Sequence, residues 1–421
     1  MYTKLQKATL PTVLVLNCHY NGLSLIQSLG RHGIPVLAVD SARGIGTRSR
    51  YAEYFQVVDP SRDREAFVKA LIDLGSEFKE KPLILPTNDH WAEALAWGAE
   101  QLSPYYHLCV ADLDTVELLL DKERFGRWAI ENDIQVPKVW TSNEALERLD
   151  KLSYPVAVKA NTRRRSGQSR DSVAQARNAD RLRFVPCEGA FELTEVLAEA
   201  KSSNVPVFCQ QVISGRSDAM RTIGVYAQQG EVLGLLYGRK VKGFPARYGD
   251  CVVGGAEPVP NWARDMAIKC CKLLNYTGIA ELEVMIDTCT GERHLIEINP
   301  RSWSWVGIGP RAGVDLAWIA YQDLVQGVQQ GNRIEGCADG QPVYYTKVLD
   351  DLQNSIVWYR FSSAPEWAQS PLTWWRWFGN KKVVFAEFSH DDLAVIWYSI
   401  VASIRQFFVK SYKVMSGKRF D

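Results

Sequence analysis

Two segments in the middle of the chain alternate aliphatic residues with polar ones, and this pattern limits what they can form. The segments are IAELEVMID (279–287) and HLIEINPR (294–301). Successive side chains of a β-strand point to opposite faces. Glu297, Asn299 and Arg301 therefore share one face of the second strand, while the aliphatic residues between them share the other. The pattern predicts two strands that are apolar on one side and charged on the other.

The TCTG sequence between these strands predicts a hairpin turn. The first strand carries Glu281 and Glu283 on one face, so the hairpin sets Glu283, Glu297 and Asn299 side by side. Such oxygen ligands suit a hard cation, and Mg²⁺ completes its octahedron with water and phosphate oxygens. We therefore expect a site for Mg²⁺ (or Mn²⁺) and a nucleotide; a solvated sheet face with incidental acids is the alternative.

The first part of the chain predicts a parallel sheet. The aliphatic run TVLVLN (12–17) is followed by a helical pattern and by IPVLAVD (34–40), which is a βαβ unit, and PLILPTND (82–89) adds a further strand. The turn after the first run, NCHYNGLS, has one glycine where the dinucleotide fingerprint needs three, which disfavours NAD or FAD. Ligands of such sheets gather at the carboxyl ends of the strands, so Asn21 and Asp89 are candidate substrate contacts; helix capping is the alternative.

Composition excludes some classes of function. A chain of 421 residues is expected to form two or three domains, with material for a cleft between them. The formal net charge of +1 lacks the strong field of a nucleic-acid binder. Nine scattered cysteines without CxxC spacing, and a start without a signal-peptide pattern, predict a cytoplasmic protein. The longest apolar run, LAVIWYSIVASI (393–404), is shorter than the about 20 residues of an ordinary transmembrane helix.

Two lysines indicate an anionic ligand. Lys159 ends the otherwise apolar strand YPVAVKA, and Lys122 follows the helical pattern LLLD. A lysine on a buried strand needs an anionic neighbour, and phosphate oxygens satisfy it.

Five short motifs follow one another along the chain: DKERF (121–125), VK (158–159), QQVI (210–213), GRKVK (238–242) and EINPR (297–301). Together they resemble the ATP-grasp superfamily, specifically its carboxylate-amine ligase branch, which is similar to D-aspartate ligase and the carbamoyl-phosphate synthase large chain. The resemblance spans roughly residues 10 to 330. It implies a fold of α/β and α+β type, in which a doubly wound parallel-sheet domain precedes a two-lobed ATP-grasp domain with antiparallel sheets and a C-terminal extension.

The resemblance also implies roles for individual residues. ATP would be bound by Lys122, Lys159, Gln210, Gln211, Ile213 and Asp218; the metal by Glu283, Glu297 and Asn299; and the transferring phosphoryl group would be stabilised by Arg301, Lys240 and Arg239. Arg247 and Arg311, together with Asn21 and Asp89, are the candidate substrate contacts.

The sequence departs from the family at two places. The loop after the second lysine, NTRRRSGQSR, carries Arg163, Arg164, Arg165 and Arg170 where relatives are rich in glycine. These arginines would clamp phosphate or an acidic substrate, or else form a solvated basic loop. Gln211 stands where many relatives carry an acid.

The reaction implied is amide formation. A substrate carboxylate attacks the γ-phosphate of ATP to give an acyl-phosphate, which an amine then attacks, so the partners are small carboxylates and amines, with no nucleic acid. A catalytically silent ATP-binding protein and a bicarbonate-activating carboxylase or carbamoyl-phosphate type of enzyme are the alternatives.

We expect three segments: a Rossmann-like domain at 1–114, the ATP-grasp domain at 115–335 and a tryptophan-rich extension at 336–421. The extension is either a structural cap or an interface for a membrane surface or partner. A homodimer is left open.

Overall fold

The computed structural model describes residues 10–161, 181–182, 184–246, 249–328 and 331–416. It contains a parallel sheet, a small antiparallel sheet and a large mixed sheet. The α/β and α+β class predicted from the sequence is confirmed.

The first sheet is parallel and doubly wound. Its strand order is β3-β2-β1-β4-β5. Alternate residues of β1 belong to different apolar clusters, because Leu14 and Leu16 pack on one face and Val13 and Val15 on the other. The elements are β1 (Val13–Leu16), α1 (Tyr20–Arg31), β2 (Val36–Asp40), β3 (Ala52–Gln56), α2 (Arg64–Gly75), β4 (Leu83–Pro86), α3 (Asp89–Trp97), α4 (Ala99–Leu102) and β5 (His107–Leu108).

The small sheet is antiparallel, with the order β6-β9-β7-β8. Val156, Val158 and Cys209 pack on the following helix to form its core. The elements of this part are α5 (Leu113–Leu120), α6 (Lys122–Glu131), β6 (Val139–Thr141), α7 (Ser142–Leu146), β7 (Val156–Ala160), β8 (Val185–Cys187), α8 (Ala190–Ser202) and β9 (Val207–Gln211).

The large sheet has the order β14-β13-β10-β11-β12-β16-β17, and β15 pairs with β11. Its strands are β10 (Met220–Gln228), β11 (Glu231–Phe244), β12 (Asp250–Glu257), β13 (Gly278–Ile286), β14 (Arg293–Asn299), β15 (Ile334–Glu335), β16 (Val343–Thr346) and β17 (Lys382–Phe385). The remaining helices are α9 (Asn261–Leu273), α10 (Gly309–Ala312), α11 (Leu316–Leu324), α12 (Val348–Ile356), α13 (Pro371–Phe378) and α14 (Leu393–Met415).

The C-terminal segment joins the body of the protein. Strand β16 pairs antiparallel with β12, and β17 pairs parallel with β16. Tyr345 and Trp374, which are almost fully buried, belong to this segment. The segment thus extends the large sheet and also carries the last helix.

Helix α14 corrects the expectation drawn from the longest apolar run. The helix has 23 residues, and it is long enough and apolar enough to cross a membrane when only length and composition are considered. The run LAVIWYSIVASI covers only the first half of the helix, since Arg405 interrupts the apolar sequence without ending the helix. The prediction that this segment is too short for a transmembrane helix was therefore wrong.

Candidate active site

Strands β13 and β14 bring the predicted acids together. Glu283 lies opposite Glu297 in the antiparallel register, and Glu281 lies opposite Asn299. The aliphatic residues between them, such as Leu282, face the buried core. The alternation seen in the sequence therefore produces a row of oxygen atoms on one face of the sheet.

Lys122 contacts this row directly. Asp121 caps helix α6 by accepting a hydrogen bond from the backbone N–H of Arg124, which makes Lys122 the first residue of the helix. Its Nζ lies 2.6 Å from Oε2 of Glu297. Burial disfavours the charged carboxylate of Glu297, but Lys122 outweighs it and lowers the Glu297 pKa to about 2. Glu297 is therefore ionised, and Lys122 is its cationic partner in this structure.

Lys159 is a second cation close by, on strand β7. Its Nζ donates to Oε1 of Gln210 at 2.5 Å, across the pairing of β7 with β9. Burial and then the charge of Lys122 lower the Lys159 pKa to about 7. Glu297 raises the Lys122 pKa, so Lys159 is the amine whose charged form an added anion would stabilise.

Glu281 and Glu283 are two acids whose pKa values are raised. Burial, followed by the charge of Glu283, raises the Glu281 pKa to about 8. Burial and Glu297 likewise raise the pKa of Glu283. Glu281 also accepts hydrogen bonds from Thr222 Oγ1 at 3.1 Å and from Asn299 Nδ2 at 3.2 Å. A divalent cation would relieve the repulsion among these acids.

The described residues contain no preformed cluster of three or more His, Cys, Asp or Glu side chains around one point. The predicted metal set has two carboxylates and one amide, which leaves coordination positions for water and phosphate. This donor set fits Mg²⁺, which binds few protein ligands.

Arg301 links the row to the first sheet. Its Nε donates to Oδ1 of Asp89 at 2.7 Å, and its Nη2 donates to Oδ1 of Asn299 at 3.2 Å. Asn21 donates to the backbone oxygens of Thr87 and Ser302. Asn21 and Asp89, predicted as substrate contacts, therefore hold the end of β14 against the carboxyl end of β4.

Lys240 and Arg239 lie on opposite faces of β11. Burial disfavours the charged form of Lys240, but the negative charges of Glu283 and Glu281 help to outweigh this effect and raise the Lys240 pKa. Arg239 instead pairs with Glu257, with its Nε 2.8 Å from Oε1. The resemblance grouped Arg239 with Lys240 at the phosphate; the structure places the two side chains on different faces, because adjacent residues on a strand project to opposite sides.

Three of the remaining predicted residues lie on or next to strand β9 of the small sheet, and Asp218 comes just before strand β10 of the large sheet. Gln210 and Ile213 are buried, and the Gln211 side chain accepts from the backbone N–H of Lys138 at 3.3 Å. Asp218 pairs loosely with Arg216 at 3.5 Å.

For several predicted basic residues, the described part of the structure gives no contact with the site. Arg311 is exposed on α10, and no hydrogen bond or ion pair of the described residues joins it to the carboxylate row. The positions of Arg163, Arg164, Arg165, Arg170 and Arg247 lie outside the described residues.

Sequence reasoning missed a polar cluster beside the site. Tyr20 donates to Oε1 of Glu387 at 3.2 Å, and the Lys347 Nζ lies 5.0 Å from the centre of the Tyr20 ring. Burial raises the pKa of Glu387 to about 7. No motif marks these residues, because they come from the start and the end of the chain. Their proximity depends on the pairing of β16 and β17 with the large sheet.

Comparison with known proteins adds relatives of similar size. The chain is 24% identical over 293 residues to D-aspartate ligase from Enterococcus faecium (strain Aus0004), covering 66% of this chain and 68% of that protein. No family model matches the chain.

Solved structures share its fold. N5-carboxyaminoimidazole synthetase from Staphylococcus aureus superposes with a TM-score of 0.60 at 16% identity, covering 82% of this chain and 84% of that one. L-amino acid ligase from Bacillus licheniformis gives a TM-score of 0.54 at 18% identity, with coverages of 75% and 74%. Biotin carboxylase from Campylobacter jejuni gives 0.58 at 14% identity, with coverages of 77% and 73%.

Proposed function

We propose that this chain is a member of the carboxylate-amine ligase branch of the ATP-grasp superfamily and that it joins a small carboxylate to an amine at the expense of ATP. The carboxylate attacks the γ-phosphate, giving an acyl-phosphate and ADP. The amine then attacks the acyl carbon, phosphate leaves and the amine loses one proton. The observation that carries the proposal is the row of Glu283, Glu297 and Asn299 facing Lys122 and Lys159.

The two lysines are suited to the phosphates of ATP. In the structure Lys122 is held by Glu297, and the Lys159 pKa is lowered to about 7 by burial and by Lys122. Phosphate oxygens would favour the charged form of both lysines. Gln210, through its hydrogen bond to Lys159, orients that amine toward the same place.

Glu283, Glu297 and Asn299 would hold Mg²⁺, which supplies neutralisation of phosphate charge during the transfer. Arg301 is fixed by Asp89 and Asn299, so its guanidinium is positioned before substrates bind. Lys240 adds positive charge from the neighbouring strand. Phosphoryl transfer depends mainly on positioning and charge stabilisation, and these side chains supply both.

Amino acids are the substrate class that we propose. Two of the similar proteins, D-aspartate ligase and L-amino acid ligase, carry amino acids in their names. Both the carboxylate and the amine of the new amide would then come from small molecules of that class.

Bicarbonate is the second candidate for the activated acid. A similar biotin carboxylase domain, from Hydrogenobacter thermophilus and with a TM-score of 0.56, was solved with MgADP and bicarbonate. Formation of ADP that depends on bicarbonate, rather than on an amino acid, would favour it.

The test is ADP release from ATP and Mg²⁺ in the presence of pools of amino acids, small carboxylates and bicarbonate. We expect turnover with at least one amino-acid pool. Glu297→Gln should lower that turnover about 100-fold, because the metal loses a charged ligand. Glu292→Gln is the matched control, since its exposed carboxylate pairs with His294 rather than with a residue of the row.

Two results would contradict the proposal. Equal turnover of the Glu297→Gln and Glu292→Gln proteins would show that Glu297 is not needed to bind the metal. ATP binding without ADP release in any pool would favour a catalytically silent nucleotide-binding protein.

A further inference from the structure

The last helix, α14, turns a continuous apolar face to solvent. Seven large side chains recur at spacings of three and four residues, so they lie on one side of the helix. They are between 54% and 78% exposed. We call this set the apolar stripe, and it consists of Leu393, Trp397, Val401, Ile404, Phe408, Tyr412 and Met415.

The opposite face of α14 packs against the protein through smaller and polar side chains. Ser399, Ser403 and Lys410 are buried there, together with Val395. A soluble helix normally buries its large apolar residues and exposes its serines and lysines. Helix α14 does the reverse, so its stripe is left for something outside the fold.

Specific polar contacts fix this orientation. Gln353 of α12 donates to Oγ of Ser403 at 2.6 Å, and Lys410 Nζ donates to Oδ1 of Asn354 at 2.9 Å. The helix therefore cannot rotate its stripe inward without breaking hydrogen bonds of buried groups, which is costly.

The start of the helix is fixed as well. The carboxylate of Asp392 accepts from Gln27 Nε2 at 3.0 Å and from the backbone N–H of Arg50 at 2.9 Å. Val395 packs with Leu23 and Ile45 of the first part of the chain. Helix α14 is thus held along its length, flat against the body of the protein.

The charge of the helix indicates what the stripe contacts. Residues 393–415 contain Arg405, Lys410 and Lys413 and no acid, and Arg405 and Lys413 are exposed. Two copies of the chain facing each other through this helix would oppose cations without a balancing acid. An anionic lipid surface supplies the opposite charge and an apolar layer, and Trp397 and Tyr412 suit its boundary with water.

We propose that the apolar stripe docks the protein on an anionic lipid surface, with α14 lying in the plane of the headgroups. The contacts with α12 and Asp392 keep the helix parallel to the protein surface, although its length alone would allow it to span a bilayer. This docking is independent of the reaction proposed above.

The test is cosedimentation of the full chain with vesicles of phosphatidylcholine containing phosphatidylglycerol, and with vesicles of phosphatidylcholine alone. We expect binding to the anionic vesicles that weakens with added salt. The triple variant Trp397→Ser, Val401→Ser, Phe408→Ser should bind at least about tenfold more weakly, because three exposed apolar contacts are lost. Its ADP binding should be unchanged, which shows that it has folded.

The matched control removes three exposed apolar side chains elsewhere. Ile130, Phe191 and Leu273 are 52%, 77% and 45% exposed. The variant Ile130→Ser, Phe191→Ser, Leu273→Ser should bind vesicles as well as the unaltered protein does.

Four outcomes would overturn the proposal. The first is failure of the unaltered chain to bind either vesicle, and the second is equal binding by the stripe variant. The third is a lipid-free dimer that becomes a monomer in the stripe variant by analytical ultracentrifugation, which would assign the stripe to a second copy. The fourth is resistance of the bound protein to extraction with alkaline carbonate, which would indicate that the helix spans the bilayer instead of lying on its surface.

Discussion

At the scale of single residues, two groups of the site have pKa values shifted toward their neutral forms. The Lys159 pKa falls to about 7 through burial and the charge of Lys122, whereas the Glu281 pKa rises to about 8 through burial and the charge of Glu283. Opposite charges nearby, such as Glu297 for Lys159 and Arg301 for Glu281, offset these effects only in part. Under the proposed function, an anionic nucleotide with its cation would favour the charged forms of both groups.

The pKa of Lys159 predicts how nucleotide affinity depends on pH. In the free protein Lys159 loses its proton as pH rises through about 7. Bound phosphate favours the charged amine, so binding takes up a proton above that pH and weakens as pH rises. We expect ADP affinity, measured by isothermal titration calorimetry without Mg²⁺, to fall about tenfold between pH 7 and 8.5; Mg²⁺ is left out because it would also displace protons from Glu281.

The Lys159→Met variant should bind ADP more weakly at pH 7 and lose most of this pH dependence. Lys151→Met, which removes an exposed lysine of the same lobe, should keep it. An unchanged slope in Lys159→Met would show that another group takes up the proton.

At the scale of elements, periodicity predicted more than the motifs did. The alternation in residues 279–287 and 294–301 predicted a hairpin with adjacent acids, and strands β13 and β14 have that register. The same period of two separates Arg239 from Lys240, which the resemblance had grouped together. A period describes one strand only, so it did not predict that Asp89 of α3 pairs with Arg301 after β14.

The pairing of Asp89 with Arg301 leads to a prediction about positioning. Asp89→Asn removes the charge that orients the guanidinium while leaving an oxygen acceptor in place. We expect kcat to fall about tenfold with little change in the KM for ATP, because Arg301 is proposed to act on the phosphoryl group during transfer. Steady-state ADP release measures both constants.

Asp73→Asn, which changes an exposed carboxylate on α2, is the control and should retain full activity. A change in the KM of Asp89→Asn alone would instead indicate that Asp89 contributes to binding before the transfer.

At the scale of the whole molecule, the first sheet and the large sheet share an apolar core. One cluster includes Val13 and Val15 of β1, Trp303 after β14 and Tyr345 of β16. Trp303 and Trp305 are 1% and 2% exposed, so both indole rings are packed inside this core. Residues so distant in the chain could not be placed together from local patterns, because their contacts arise only when the sheets pack.

The contact between Trp303 and Gly224 tests this shared core. A Cβ at Gly224 would overlap the ring of Trp303, which is packed too tightly to move freely. Gly224→Ala should therefore lower the free energy of unfolding by about 1–3 kcal/mol, measured by urea denaturation. Gly189→Ala is the matched control, because no atom lies within 4 Å of the added Cβ.

The manner of unfolding is the second part of this prediction. If the sheets are stabilised by one core, tryptophan fluorescence and ADP binding should be lost at the same urea concentration in Gly224→Ala, as in the unaltered protein. Loss of ADP binding well before the fluorescence change would mean that the large sheet unfolds separately. The first sheet would then be an independent unit, and the apolar contacts of Val13 and Val15 with the later part of the chain would contribute little to stability.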